Sequence, residues 1–340
     1  MNELSLEHDQ RGSGFFLLPT QELFFCSWKG FAHSDLALFR IDPDTLEIAA
    51  NSPAVYDLLR DLDRKPSDGL LAGCGWRKVF LFDPTSLAIA NRIEGLGEGL
   101  ECLAFDGEGD HLLIASALRQ TVRIVDTRTW RVVATKRLGR FTHVLRARDA
   151  HQLVLLHGPT GRVMWFDCAD IRQVHEFHGP PFGAAIESKS AIFLAVGTPR
   201  PMGLVPESNA KQFVTSSGKS PVPGYVPMAG TERVNMGAGL VVIDLITRAA
   251  SPPRPTDYLG PSPHQMIQLS RSGGLLFALS KERVRVLTAG ALEVVSEWTL
   301  PEGSFPLAVL GEGEKAVVAF GQWAWSRIAL VEPVPTEKSS

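Results

Sequence analysis

Three side chains in this sequence are suited to acid–base chemistry on a small molecule: His143, His264 and Tyr258. Each histidine stands close before a short apolar segment, and Tyr258 lies in the connection that leads to His264. Histidine titrates near neutral pH and transfers protons readily, so this set could act on a carboxylate or a lactone. The sequence shows no acidic cluster at metal-ligand spacing on the same side and no nucleophile elbow. Catalysis is therefore the weaker of two hypotheses.

A second group of residues is suited to binding. Tryptophan and arginine dominate the centres of protein interfaces. Each of these residues falls in a connection that we assign to one face of the molecule, either after a second strand or between repeats. Tryptophans could alternatively pack over neighbouring strands, and single arginines are often only solvated. The candidate binding residues are Trp28, Trp76, Trp323, Trp325, Arg77, Arg119, Arg140, Arg162, Arg200 and Arg233, with Lys281 and Arg283 on the same face.

The opposite face is expected to be acidic, which would make a nearly neutral chain dipolar. A positive face favours an anionic ligand or an acidic partner. The acidic residues assigned to turns on that opposite face are Asp61, Asp63, Asp68, Asp106, Glu108, Asp110, Glu312 and Glu314.

Several apparent cofactor motifs fail. The segment 216–220 (SSGKS) resembles the end of a phosphate-binding loop, but Phe213 stands where that motif needs glycine. The glycines in 95–99 do not match the dinucleotide fingerprint. His175 and His178 are three apart on a strand and so point to opposite faces. The four cysteines lack CxxC spacing, and we interpret them as reduced structural thiols. We predict no cofactor and no metal site.

The elements that position these residues follow from a repeated phrase, an apolar strand that ends in Asp and a turn. Consecutive copies are 41 to 44 residues apart, except for one interval of 77 that contains an insertion. Such a period, built from strands alone, is typical of a β-propeller. The recurring Asp is expected to accept backbone hydrogen bonds in a turn. The copies end at Asp42, Asp83, Asp126, Asp167, Asp244, Thr288 and Glu332.

Each copy also has an inner strand, a buried second strand and an outer strand, and 55–62 and 100–105 are examples of the inner one. The segment 100–138 resembles a whole repeat of the YVTN and WD-repeat propellers, and the likeness extends over 15–333. It implies an all-β, seven-bladed β-propeller with four antiparallel strands per blade. No repeat ends in Trp-Asp and no Gly-His pair opens one, so no functional residue is carried over. The segment 260–274 is similar to blade openings of YVTN-like lactonases.

Two features lie outside the regular repeat. The last copy is followed by Pro333 and Pro335, which cannot form an outer strand, so we predict that the alternating segment 3–8 closes the ring. The insertion in blade 5, 198–238, contains six prolines. We expect no regular structure there. We interpret it as a lid or binding element, and a neutral insertion is the alternative.

The composition is that of one compact domain, 1–340. With 34 basic and 37 acidic residues there is no electrostatic case for nucleic acid or membrane binding. The sequence as given shows no leader, so we expect a cytoplasmic protein. The first hypothesis is a non-catalytic binding and assembly module. Its loop face would engage a protein partner, such as a subunit of a larger complex. The alternative is a lactonase- or lyase-like enzyme with His143 and His264 at the channel mouth.

Overall fold

The structure is a computed structural model. It describes residues 3–5, 12–18, 22–28, 36–42, 45, 47–55, 57, 59–147, 149–196, 204–206, 225–227, 239–255, 266–270, 272–280, 283–300, 304–310, 317–322 and 327–331.

The regular secondary structure of the described residues is almost entirely β-strand, and these strands form seven four-stranded antiparallel sheets. We number the sheets in chain order, so that each contains one copy of the sequence repeat. The first four sheets are sheet 1, β2 (Gly12–Leu17), β3 (Leu23–Trp28), β4 (Leu36–Ile41) and β5 (Ile48–Asn51); sheet 2, β6 (Asp61–Arg64), β7 (Leu71–Cys74), β8 (Val79–Phe82) and β9 (Ile89–Ile93); sheet 3, β10 (Leu100–Phe105), β11 (His111–Ser116), β12 (Thr121–Asp126) and β13 (Arg131–Arg137); and sheet 4, β14 (His143–Arg146), β15 (Gln152–His157), β16 (Arg162–Asp167) and β17 (Arg172–His178).

The remaining sheets have the same strand order, from an inner strand to an outer one. A single 3-10 turn, Gly158–Thr160, interrupts the strands in sheet 4. The last three sheets are sheet 5, β18 (Phe182–Glu187), β19 (Ala191–Val196), β22 (Gly239–Asp244) and β23 (Arg254–Pro255); sheet 6, β24 (Met266–Leu269), β25 (Leu275–Ser280), β26 (Arg283–Thr288) and β27 (Val294–Thr299); and sheet 7, β28 (Ser304–Leu310), β29 (Val317–Gln322), β30 (Arg327–Val331) and β1 (Glu3–Ser5).

Sheet 7 takes its outer strand from the other end of the chain. Leu4 of β1 pairs antiparallel with Ile328 of β30, and Glu3 and Ser5 continue the register. The predicted closure by the N-terminal strand is therefore confirmed. It satisfies an edge that would otherwise be free to pair with another chain.

Consecutive sheets pack face to face and bury nearly all of their apolar side chains. Leu113 and Ile124 of sheet 3 share a buried cluster with Leu153 and Phe166 of sheet 4. Equivalent clusters join sheets 1 and 2, sheets 2 and 3, sheets 4 and 5, and sheets 5 and 6. The inner strands of neighbouring sheets contact one another. This is the packing expected of a propeller, in which each sheet is covered on both faces.

The repeated Asp opens the turn between third and fourth strands, as expected. Oδ1 of Asp126 accepts from the amides of Arg128 and Thr129 and from the Thr129 hydroxyl, at 2.8 to 3.0 Å. Trp130 closes this turn with φ +55° and donates its amide to the Asp126 carbonyl. The turns at Asp83 and Asp244 have the same pattern. These aspartates are therefore structural.

The inner strand of sheet 2 differs from the prediction. The predicted strand was 55–62, but β6 begins at Asp61. The preceding residues stay attached to sheet 1, because Ser52 and Val55 donate their amides to Leu38 and Leu36 of β4. As a result Asp61 and Asp63 lie in the inner strand itself, and their placement in turns of the acidic face was wrong.

The insertion in sheet 5 contains regular structure, contrary to expectation. Leu204–Pro206 (β20) pairs antiparallel with Tyr225–Pro227 (β21), and Val205 faces Val226 in the register. Valine and tyrosine favour extended backbone, which accounts for this short pair. The rest of 198–238 lies outside the described residues.

All four cysteines are buried and free, which confirms their interpretation as unpaired thiols. Burial raises the pKa values of Cys74 and Cys102, so neither is activated as a nucleophile. In the part of the chain that the structure describes, no helix is long and apolar enough to cross a membrane.

Candidate functional site

We call the side of the molecule that carries the connections between second and third strands, and between sheets, the loop face. The opposite side, with the turns at the repeated aspartates, is the turn face. On the loop face, Trp76 lies between β7 and β8 and Arg60 directly precedes β6. The Arg60 guanidinium carbon is 4.5 Å from the centroid of the Trp76 ring. Its Nη1 is 3.2 Å from the Glu101 carboxylate, so Trp76 is covered by a cation that is itself paired.

The glycines in 95–99 explain how the next part of this face is built. Gly97 and Gly99 have φ near +75°. A Cβ on Gly97 would lie 2.8 Å from Nε of Arg119, and one on Gly99 would overlap Cβ of Leu118. The connection between sheets 2 and 3 can therefore pass directly beneath the Leu118 turn only because it has no side chains there.

Trp76 and Leu118 flank this glycine connection on its two sides. Leu100 donates its amide to the Trp76 carbonyl, and Ala117 donates its amide to the Gly99 carbonyl. Leu118 is nevertheless 61% exposed. The backbone thus holds an apolar side chain in solvent, close to an arginine-covered tryptophan.

Arginines surround Leu118. Arg119 follows it, and the amide of Gly139 donates to the Gln120 carbonyl, which holds Arg140 against the same turn. Arg137 ends the outer strand at this level, where it pairs with Thr121. All three arginines are exposed, and no ion pair involves them within the described residues. We call Leu118, Arg119, Arg137 and Arg140 the Leu118 surface.

The electrostatics of the Leu118 surface are those of crowded positive charge. Burial and the neighbouring Arg119 together lower the pKa of Arg123, which lies in β12 beneath it. An anionic group bound beside Arg119 and Arg123 would offset the repulsion between these two guanidinium groups.

Two of the predicted binding arginines are instead engaged within the molecule. Arg77 is 2.6 Å from the Glu98 carboxylate, although it remains 66% exposed. Arg162 forms a bidentate pair with Glu176, at 2.7 and 3.1 Å, and also donates to the Leu138 carbonyl. Its guanidinium lies over the Phe141 ring, so Arg162 mainly holds sheet 4 to the connection before it.

The described residues include only part of the predicted site. The side chain of Trp28 is not described, although its backbone ends β3. Arg283 begins β26 and is 3.3 Å from Glu297. The predicted tryptophan arc is represented by Trp76 alone. The predicted residues that lie outside the described part of the chain are Trp323, Trp325, Arg200, Arg233, His264, Tyr258 and Lys281.

His143, the predicted catalytic histidine, lies at the loop-face end of inner strand β14, which begins at this residue. Its Nδ1 is 3.0 Å from the Thr142 hydroxyl, and its ring lies 6.2 Å from that of Phe182. Asp61 lies at the same end of the inner strand of sheet 2. Burial raises the pKa of Asp61 to about 7.

Polar side chains on inner strands bind the free backbone edge of the next sheet. Asp61 accepts from the Leu103 amide at 2.9 Å, and Asp63 accepts from the Phe105 amide at 2.8 Å. Gln268 likewise accepts from the Val309 amide and donates to its carbonyl. Because the partners are one repeat apart, these groups satisfy an edge that no fifth strand covers.

Farther along the inner strands, an arginine links two sheets that are not neighbours. Nη2 of Arg146, on β14, contacts both carboxylate oxygens of Asp63 and the carbonyl of Arg64. Burial raises the pKa of Asp63 even though Arg146 opposes the shift. Burial also raises the pKa of Glu187, on β18, to about 7. Sequence reasoning missed the group formed by Arg146, Asp63 and Glu187. The sequence signal that could have indicated it was a charged residue on each of three inner strands.

One cluster on the turn face has the donor types of a metal site. Asp106 is completely buried, and its Oδ2 lies 2.9 Å from Nδ1 of His111 and 3.1 Å from Nδ1 of His151. The hydrogen bond to Asp106 is the main cause of a raised His151 pKa. Sequence reasoning missed this cluster because His151 is 45 residues from Asp106.

Neither a protein-family model nor a curated protein matches the sequence. Among solved structures, the chain is similar to the WD40 domain of Neurospora crassa Pan2, with 13% identity, coverage of 97% of this chain and 94% of that one, and a TM-score of 0.63. It is also similar to Kuenenia stuttgartiensis hydrazine synthase, with 14% identity, 94% coverage of each chain and a TM-score of 0.64. The fold is an all-β propeller of four-stranded antiparallel sheets, with a WD40 domain among its structural neighbours. At these identities the likeness extends to the fold alone.

Proposed function

We propose that this chain is a binding module, a closed ring of seven blades with one sheet per blade, whose loop face binds an acidic surface of a protein partner. The observation that carries the proposal is the Leu118 surface. It combines one exposed apolar side chain with three exposed arginines for which the described residues supply no carboxylate.

The composition of this surface matches a protein interface better than a simple anion site. Arginine and tryptophan are enriched at interface hot spots, and the contacts around a hot spot exclude water from it. Leu118 lies at that centre, and Trp76 borders it across the glycine connection. A small inorganic anion would make no use of Leu118, whereas an acidic protein segment with an apolar residue would contact both.

The test is affinity capture from a lysate of the native cells, followed by quantification of the captured partner. Arg119→Glu with Arg140→Glu, and separately Leu118→Asp, are each expected to reduce capture at least tenfold. Raising the salt concentration should weaken capture by the wild type, because exposed charges are screened. A third variant, in which 200–235 is replaced by a short Gly-Ser link, measures the contribution of the insertion.

Matched controls separate surface effects from damage to the fold. Lys189→Glu reverses an exposed charge in the turn between β18 and β19, on the turn face. Ile246→Asp changes an apolar side chain that is 63% exposed, against 61% for Leu118. Both controls should retain capture. A stoichiometric partner that the charge-reversed variant retains in full would contradict the proposal.

The second candidate is a small-molecule enzyme of lactonase or lyase type at the channel mouth. The observation that favours it is Asp61, whose pKa of about 7 suits a general acid or base, at the same end of the channel as His143. His264 and Tyr258 belong to this candidate by sequence alone. It predicts turnover of a lactone or carboxylate substrate that Asp61→Asn and His143→Ala abolish while Leu118→Asp leaves it unchanged. Absence of turnover across a lactone panel would exclude that substrate class.

A further inference from the structure

Three residues from two neighbouring sheets meet on the turn face, away from the Leu118 surface. Asp106 follows inner strand β10, His111 begins β11 of the same sheet, and His151 directly precedes β15 of sheet 4. Their potential ligand atoms all lie within 4.8 Å of one another. Both imidazoles place Nδ1 next to the same carboxylate oxygen of Asp106, so three atoms that can each bind a metal ion lie together.

The backbone fixes all three residues in place. Asp106 donates its amide to the His111 carbonyl at 3.0 Å, and the His111 amide is 3.2 Å from Oδ1 of Asp106. Cys168 donates its amide to the His151 carbonyl at 2.9 Å. Gly107 donates to the Ala150 carbonyl at 2.6 Å, which ties the two turns together across the sheets. The donor atoms are therefore preorganised rather than gathered from flexible loops.

Two of the three distances between donor atoms are close to those around a tetrahedral ion. Ligand bonds of about 2.0 to 2.1 Å place neighbouring donors about 3.3 Å apart. The observed contacts from Oδ2 to the two Nδ1 atoms, at 2.9 and 3.1 Å, need to open by only a few tenths of an ångström. Two imidazoles and one carboxylate leave the fourth position for water, as in open zinc sites.

Charge and access also favour a cation. Asp106 has no exposed surface, and its described side-chain hydrogen bonds are with two imidazoles and the His111 amide. Asp110 and Asp167 add negative potential at His151. Among the described cations, Arg128 pairs with Asp110 at 3.3 Å. Because the Arg128 side chain is 78% exposed, this pair lies at the surface. The side chain of His151 is 40% exposed, which gives an ion a route from solvent.

We propose that Asp106, His111 and His151 bind one divalent transition-metal ion of the zinc class and so clamp sheet 3 to sheet 4 on the turn face. Nitrogen and carboxylate donors together select zinc, cobalt or nickel over magnesium and calcium, which prefer oxygen alone. Metal binding requires an unprotonated Nδ1 on each imidazole, so a neutral ring carries its proton on Nε2 and a protonated ring releases one proton to solvent.

The test uses the full-length protein, freed of metal with a chelator and titrated with Co²⁺ and then Zn²⁺. We expect one Co²⁺ per chain, with the visible absorption of tetrahedral cobalt, displaced by an equivalent of Zn²⁺. Zn²⁺ should also raise the melting temperature, because it binds the folded state. His151→Ala and His111→Ala should each weaken metal binding by roughly tenfold or more.

Asp106→Asn is the most direct variant, but Asp106 is buried and its loss could unfold the chain. His151→Ala keeps the proposal testable, because that side chain is partly exposed. His178→Ala is the matched control, since it removes a histidine that is 62% exposed on the outer strand of sheet 4. The His178→Ala variant should bind Co²⁺ and Zn²⁺ as tightly as the wild type does. If the wild type takes up no Co²⁺ or Zn²⁺, or if both histidine variants bind as tightly as the wild type, the proposal is overturned and the cluster is a hydrogen-bonded latch.

Discussion

Nη2 of Arg146 lies 2.6 Å from Oδ1 and 2.7 Å from Oδ2 of Asp63, although the two residues are 83 positions apart. Arg146 belongs to sheet 4 and Asp63 to sheet 2, so the arginine spans the inner edge of sheet 3. The contact therefore joins sheets 2 and 4 across the inner strand of sheet 3. The sequence around either residue gives no indication of it.

Arg146→Met should destabilise the protein by about 3 to 5 kcal/mol, because it leaves the buried Asp63 without its cation. Urea unfolding followed by tryptophan fluorescence measures the change. The double variant with Asp63→Asn should recover much of the loss, since it removes both charges and keeps an oxygen that can accept from the Phe105 amide. If Arg146→Met alone unfolds at the same urea concentration as the wild type, the link does not contribute to stability.

Asp61 and Glu187 should make the protein less stable as pH rises from about 4 to about 7. Each has a pKa of about 7 in the folded state, against model values of 3.8 and 4.5. Over that range the folded state holds protons that the unfolded state has released, so the free energy of unfolding falls with pH. Asp61→Asn with Glu187→Gln should therefore be more stable than the wild type at pH 8, and this gain should shrink at pH 5. Urea unfolding at both pH values measures the gain in stability. A gain of equal size at pH 5 and pH 8 would contradict the raised pKa values of Asp61 and Glu187.

Asp126 should show the opposite pH dependence. Hydrogen bonds from Thr129 lower its pKa, so it stabilises the fold above the unfolded-state pKa and loses that effect as pH falls below it. Asp126→Asn should lower the melting temperature at pH 7, and the difference should shrink as pH falls through the lowered folded-state pKa. Thermal unfolding by circular dichroism provides the comparison. A difference that persists unchanged at low pH would mean that the charge is not what stabilises this turn.

Gly99→Ala should be more destabilising than Gly95→Ala. Both glycines have φ near +74°, so both substitutions carry left-handed strain of about 1 to 2 kcal/mol. A Cβ on Gly95 meets nothing within 4 Å, whereas one on Gly99 overlaps Leu118. Gly99→Ala should therefore lower the free energy of unfolding by about 1 to 3 kcal/mol more than Gly95→Ala does. Gly99→Ala should also weaken partner capture, because it displaces Leu118, and equal unfolding midpoints for the two variants would contradict the packing described here.

The spacing of the strands and of the turn aspartates was sufficient to predict the fold. A strand period near 42 residues requires sheets that repeat, and Asp126 and Asp244 bond only to residues two or three positions away, so local sequence determines those turns. The closing strand was also predictable, because the prolines after β30 exclude an outer strand from that end of the chain.

The functional clusters were decided by tertiary structure. Asp61 was assigned to the wrong face because a shift of the inner strand by a few residues moves it from a turn into the channel. His151 joins Asp106, and Arg146 joins Asp63, only when neighbouring sheets pack. Sequence periodicity determines which residues share a level within a sheet. Which of them touch across sheets depends on how the packed sheets are rotated and spaced, and that is a property of the folded ring as a whole.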